Sequence, residues 1–302
     1  MRCIAGRYGK QGDSGMRSGL HRAGGVVLLG LGVLLGAPGM ADDAQHSGWY
    51  VGAGLGANWM SDANQAGYNR DTICYPVDDC TNKGTIDGYR WFYDLDADRG
   101  NMFELVVGRG FGNIRLELSA NRRENDIDQE FAAITYFDGT RILSDTMSNY
   151  TSTSEFSIDR LRTQTLQLNA YYDFPLAHPR VTPYVGVGVG MSRVKLYGLY
   201  FRGEYSCTSG CDAALSPPEA YNSLQDEDLR DTVFSWHLHA GADYSLGDRL
   251  LLGLKLTYSE MDDLRDSGSY INHPFPDEPN HTKISDMDHW SLTLGLKYLL
   301  GG

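Results

Sequence analysis

The chain has 302 residues, 26 Lys and Arg against 39 Asp and Glu, and a formal net charge of −13. A surface this acidic repels nucleic acid and suits divalent cations or basic partners. Its 36 glycines and 19 tyrosines, with no long aliphatic run after the N-terminal region, argue for many strands rather than helices.

The first element is a short apolar run. Arg17, His21 and Arg22 precede Val26–Leu35, and Gly36–Ala41 then leads to the polar start Asp42-Asp43. A basic segment, a short apolar core and a small-residue site describe a cleaved signal peptide over residues 1–41, with Gly39 and Ala41 as the small residues and Met16 as an alternative start. The run is too short for a membrane anchor, which needs about 20 apolar residues. Its removal leaves 21 basic and 38 acidic residues, deepening the charge from −13 to −17.

Eight segments follow in which apolar and polar residues alternate. Their apolar faces run through Trp49–Ala57, Phe103–Val107, Ile114–Ala120, Leu166–Phe174, Val185–Met191, Trp236–Tyr244, Leu250–Tyr258 and Trp290–Leu300. Period two is a strand signature, whereas a helix would repeat apolar residues at three and four. The connections alternate in length. Phe111-Gly112-Asn113, Pro175–Val181 and Gly247-Asp248-Arg249 are short, while residues 61–99, 122–162, 198–231 and 262–288 are long. Short turns on one side and long loops on the other is the pattern of an eight-stranded, antiparallel, up-and-down transmembrane β-barrel. Residues 42–302 are thus expected to form one domain, with short periplasmic turns and four long extracellular loops. These loops are expected to continue the strands as hairpins, and Asp138-Gly139 is a turn signal of that kind. Trp49, Phe111, Phe174, Tyr184, Tyr244 and Tyr298 are expected in a girdle on the short-turn side. Trp59, Phe103, Trp236, Tyr258 and Trp290 are expected in a second girdle on the other.

The opposite, inward face carries charge. Glu104, Glu117, Asp173 and Asp243 share it with Arg115, Lys255 and Lys297. Confined charges are costly unless paired, so a network is expected, with Glu117 as central acceptor and a closed lumen. Four cysteines follow the signal peptide, Cys74, Cys80, Cys207 and Cys211, and in an exported chain an even count reads as disulfides. Three connectivities are open, of which the local pairs 74–80 and 207–211 are simplest.

Other chemistry is weaker. Asp94-Leu95-Asp96-Ala97-Asp98 lacks the glycine and glutamate that a calcium loop needs. His237 and His239 share a face but have no third ligand, and read as polar lining bonded to neighbours such as Asp243. Ser235, His237, Glu260 and His289 could be drawn into a hydrolytic set, yet no nucleophile motif accompanies them. No catalysis, metal or cofactor is expected. Asn149 and Asn280 lie in glycosylation sequons, short enough to read as chance. A soluble, ligand-binding barrel is disfavoured by the glycine-rich polar face and the alternating loop lengths.

Leu168–Pro175 followed by Thr182–Gly190, with Gly48–Gly56 and the turn Gly110–Asn113, resembles the opacity-type, porin-like small outer-membrane β-barrels. The ending adds a second likeness. Thr293, Gly295, Tyr298 and Leu300 are spaced like the last-strand signal read by the barrel-assembly machinery, although the chain closes on Gly301-Gly302 instead of an aromatic. The resemblance implies an outer-membrane location, contact with outer-membrane lipid and lipopolysaccharide, and a structural or surface-interaction role through the loops. A small outer-membrane enzyme, lipid A-modifying or proteolytic, or a narrow channel is the alternative.

Overall fold

A computed structural model describes residues 48–75, 83, 85–142, 150–176, 180–210, 218–273 and 277–300. Its strands, in chain order, are β1 (Gly48–Met60), β2 (Ala63–Asn69), β3 (Tyr89–Ala97), β4 (Gly100–Phe111), β5 (Ile114–Tyr136), β6 (Tyr150–Ser157), β7 (Arg160–Asp173), β8 (Val181–Cys207), β9 (Ser223–Ser245), β10 (Leu250–Met261), β11 (Leu264–Ser269), β12 (Pro279–Ser285) and β13 (His289–Leu299). Among the described residues there is no α-helix, only one 3₁₀ turn at Pro218–Tyr221.

All strand pairs are antiparallel, and eight of them close on themselves. The pairing runs β1–β4–β5–β7–β8–β9–β10–β13 and returns to β1. Each alternating segment of the sequence lies in one of these eight strands. Closure leaves no unpaired edge around the ring, so every ladder group there has a backbone partner. Gly112, at φ 64°, supplies the left-handed residue that lets Phe111 pair with Ile114 across a two-residue turn.

The other five strands build on the long-loop end. β3 extends β5, β2 bridges β3 and β12, β11 flanks β12, and β6 pairs with β8. The Asp138-Gly139 turn forms, with Gly139 donating to the Tyr136 carbonyl at 2.9 Å. Strand runs well into the long connections, in keeping with the extended hairpins expected there: β5 continues to Tyr136, β7 begins at Arg160, and β8 continues to Cys207. One expectation needs correction. The return strand β6 joins β8, so this excursion is not a hairpin on its own strand.

The reason is visible along β5. Outward residues are Ile114, Leu116, Leu118 and Ala120, then Arg122, Glu124 and Asp126. Inward residues are polar from Arg115 to Asn125, then apolar at Ile127. The period of two holds through Ile127 and slips only further up, at a bulge between Phe131 and Ala133; what changes at the exchange is the chemistry of the two faces. β7 does the same, with Leu166 and Leu168 giving way outward to Gln164 and Arg162, and Leu161 turning inward. Below the exchange lies an exposed apolar band. Above it the inward faces make a buried apolar core that includes Met60, Leu95, Ile127, Leu161, Val194, Leu196, Leu229 and Ile284.

Candidate functional site

Inside the ring, residues with the inward phase stack in layers. Nearest the short turns, Arg115 donates from Nε to Asp173 Oδ1 at 3.0 Å and from Nη1 to Asp243 Oδ2 at 2.9 Å. Lys297 Nζ reaches both Asp243 oxygens at 2.9 and 3.0 Å. The Arg115 guanidinium also lies over the Tyr184 ring, 4.6 Å from its centroid. In the next layer Glu117 accepts the hydroxyls of Tyr50 at 2.9 Å and Tyr171 at 3.0 Å. Lys255 donates to Glu104 at 2.7 Å and stands 4.0 Å from Glu117. A cavity of about 30 Å³ between Glu104, Lys255 and Lys297 leaves room for a water molecule or two.

The inward tyrosines explain inward glycines. Tyr50 faces Gly108, Tyr171 faces Gly186 and Tyr184 faces Gly241 across the ladders. A Cβ on these glycines would stand 2.3, 2.3 and 2.6 Å from the respective rings. Each ring therefore occupies the space its partner leaves open.

Higher up the charges give way to hydroxyls, amides and imidazoles. His239 bonds Asn169 at 3.1 Å and Thr257 at 3.0 Å, and Asn169 donates to Ser119 at 3.0 Å. A chain runs Thr165–Ser192–Ser235–His237–Ser259, with steps of 2.8–3.1 Å, and ends on Arg123, which donates to Ser259 at 2.9 Å. The apolar core lies directly beyond.

All seven expected network residues face inward, but their partnerships differ from expectation. Asp243, not Glu117, receives two cations, and Glu117 takes two phenols instead. Sequence position fixes which face a side chain occupies, not which strand stands opposite across the ring. Tyr50, Tyr171, Tyr184 and Arg123 are further members; their inward phase was the available signal. Tyr184 is 2 % exposed, so it leaves the expected aromatic girdle. The histidines bond hydroxyls and an amide, not Asp243. Among the described residues no group of three or more His, Cys, Asp or Glu is placed to hold a metal. Asp94 and Asp96 lie outward on β3 with Leu95 buried between them, which is strand geometry and not a calcium loop. Ser235 and His237 touch, but both are buried and the next member is Ser259, not a carboxylate. In the last strand Thr293 is buried, while Tyr298 and Leu300 face outward. Cys74 and Cys207 lie at the long-loop end; Cys80 and Cys211 lie outside the described residues, as do the signal segment and Asn149. Asn280 is buried and bonded to Asn69 and Gln225.

On the outer side Trp49, Phe111, Tyr244 and Tyr298 are exposed near the short turns. At the other edge of the apolar band Tyr258 packs against Trp236 and Trp290, with ring centroids 5.5 and 5.1 Å apart. Trp59 is the cross-strand partner of Trp290. At the long-loop end a second polar cluster is buried. Tyr75 donates to Asp71 and contacts His273 Nε2 at 2.8 Å, while the His273 ring stacks on Tyr270 at 4.2 Å. Burial, then the Asp71 carboxylate, pushes the Tyr75 hydroxyl far above its ordinary value.

An antiparallel ring with an apolar outer band and a polar interior defines an integral outer-membrane protein of the β-barrel class. The chain belongs to the family described as outer membrane protein beta-barrel domain, matched over residues 27–298. Among solved structures it is similar to the outer membrane protein OprG from Pseudomonas aeruginosa, at 13% identity and TM-score 0.47, covering 86% of this chain and 100% of that one. Neisserial surface protein A (NspA) gives 13% identity and TM-score 0.39, over 86% and 100%. Ail, the attachment invasion locus protein of Yersinia pestis, gives 12% and 0.32, over 83% and 98%. No curated protein matches the sequence significantly.

Proposed function

We propose that the chain is an eight-stranded, up-and-down transmembrane barrel that serves the cell envelope as a structural and surface-interaction protein, without catalysis. The closed pairing of eight strands, apolar outside and polar inside, carries this reading. A ring of this size leaves an interior that side chains nearly fill, and here ion pairs, tyrosines, hydroxyls and an apolar core occupy successive levels. The filled interior favours a plugged barrel over a channel, and the burial of Ser235 and His237 disfavours the enzyme. Residues 1–41 act as the cleaved signal peptide, the short turns face the periplasm, and the long-loop end faces outward. Two disulfides among Cys74, Cys80, Cys207 and Cys211 tie that end, a reading supported by the even cysteine count expected of an exported chain. Partners are lipopolysaccharide, the assembly machinery through the last strand, and a surface ligand bound by the loops.

Planar-bilayer recording tests the plug: the purified protein should show no large, steady conductance, and such a conductance would give the channel reading precedence. Trypsin added to intact cells tests orientation. Cleavage is expected near the exposed Arg141 at the long-loop end, and not at Arg249 in a short turn. The reverse pattern would invert the topology.

A further inference from the structure

We infer that the outward face of β5, β7, β8 and β9, just above the apolar band, binds the phosphate groups of lipopolysaccharide. Cross-strand register arranges this face in rows. The last apolar row is Ala120, Leu166, Met191 and Phe234. The next is Arg122, Gln164, Arg193 and Thr232, and the one above is Glu124, Arg162, Lys195 and Arg230. Two residues along a strand advance about 7 Å, so five cations stand within about 14 Å of the apolar edge, where headgroups lie.

Their arrangement calls for an anion. Arg162, Lys195 and Arg230 are direct cross-strand neighbours, and like charges placed opposite one another destabilise a sheet. Glu124 answers part of this, pairing with Arg122 and Arg162 at 2.9 Å and with Arg160 at 3.2 Å, and Asp228 pairs with Lys195 at 2.9 Å. Arg193 and Arg230 have no carboxylate within ion-pair distance among the described residues, and both are exposed. Guanidinium groups match phosphate in a bidentate way. The patch is local in a chain of net charge −13. Elsewhere on the ring the band ends differently: above Tyr258, Trp290 and Trp59 come Glu260, Asp288 and Ser61. That sector offers phosphates a lone arginine, Arg99 over the Trp59 ring, and would otherwise meet them through bridging cations. The contrast assigns direct phosphate contact to the β5–β9 sector.

The inference rests on the outward orientation proposed above, which the trypsin experiment tests separately. Binding is measured with the full chain folded in detergent, using fluorescent lipopolysaccharide in EDTA as the probe, and folding is checked by heat-modifiable gel mobility. Combining Arg162→Gln, Lys195→Gln and Arg230→Gln should weaken binding at least tenfold. Arg193→Gln alone, a milder change, should weaken it about threefold. Combining Glu260→Gln with Asp288→Asn should leave it within twofold of the parent. Dephosphorylated lipopolysaccharide should bind parent and triple variant equally weakly. Equal affinity of the folded triple variant and the parent would overturn the proposal. So would loss of parent binding in EDTA, which would assign the contact to cation bridging, or equal competition by phosphatidylglycerol vesicles.

Discussion

Asp243 and Glu117 are both buried carboxylates of the interior, but they hold different things. Asp243 accepts from Arg115 and Lys297, and removing one member of a buried ion pair leaves a charge uncompensated, at about 3–5 kcal/mol. Glu117 accepts two phenols, and its one cation, Lys255 at 4.0 Å, is bonded to Glu104 at 2.7 Å, so its loss costs nearer the ~1–3 kcal/mol of unsatisfied neutral groups. Urea unfolding in lipid vesicles should therefore rank Asp243→Asn as more damaging than Glu117→Gln; the reverse order would restore Glu117 as the hub. Gly186 offers a second test. A larger side chain there must displace the Tyr171 ring or the adjacent backbone, so Gly186→Val should cost about 1–3 kcal/mol, while Tyr171→Ala in the same chain should recover part of that loss. Membership of the interior was legible from the alternation, because phase alone sends Arg115, Glu117 and Lys255 inward. The pairings were not, because Arg115 and Asp243 stand 128 positions apart and meet only through the stagger of the ring.

Among elements, β5, β7, β8 and β9 mark where reading by apolar face stops working. Their lower halves announce themselves through outward Leu, Val and aromatic residues. Just above the band they keep the period, slipping only further up at Phe131–Ala133 of β5 and Leu196–Leu199 of β8, but they place charge outward and apolar residues inward, so a search for outward apolar residues ends them at the band's edge. Leu196, fully buried in the upper half of β8, should then behave as a core residue of a soluble domain. Leu196→Ala is expected to cost about 2–5 kcal/mol and to make the long-loop end more sensitive to protease without opening a conductance. The Tyr75–Asp71–His273 cluster gives this region a pH response. A tyrosine whose folded pKa is raised is neutral in the fold, and its stabilising effect is intact below the ordinary value near 10. The contribution falls as pH rises beyond that, since the unfolded chain then loses the proton first. The urea concentration that unfolds the long-loop end should fall above about pH 10, and Tyr75→Phe should flatten that fall. An unchanged profile in the variant would assign the response to another group.

At the scale of the whole molecule, one antiparallel ladder serves two solvents. Lipid-facing and water-facing stretches differ only in which face is apolar, and the strands cross from one to the other unbroken. β8 is the fullest case, 27 residues from Val181 to Cys207, paired with β7 and then β6 on one side and with β9 on the other. The consequence is mechanical. A force applied at the tip of that strand meets one register shift against β9, between Leu196 and Leu199, and otherwise continuous pairing. It runs down the strand and loads many cross-strand hydrogen bonds together in shear, so the tether gives way only when a large part of the sheet slips. The long-loop end and the ring below it are one continuous cable.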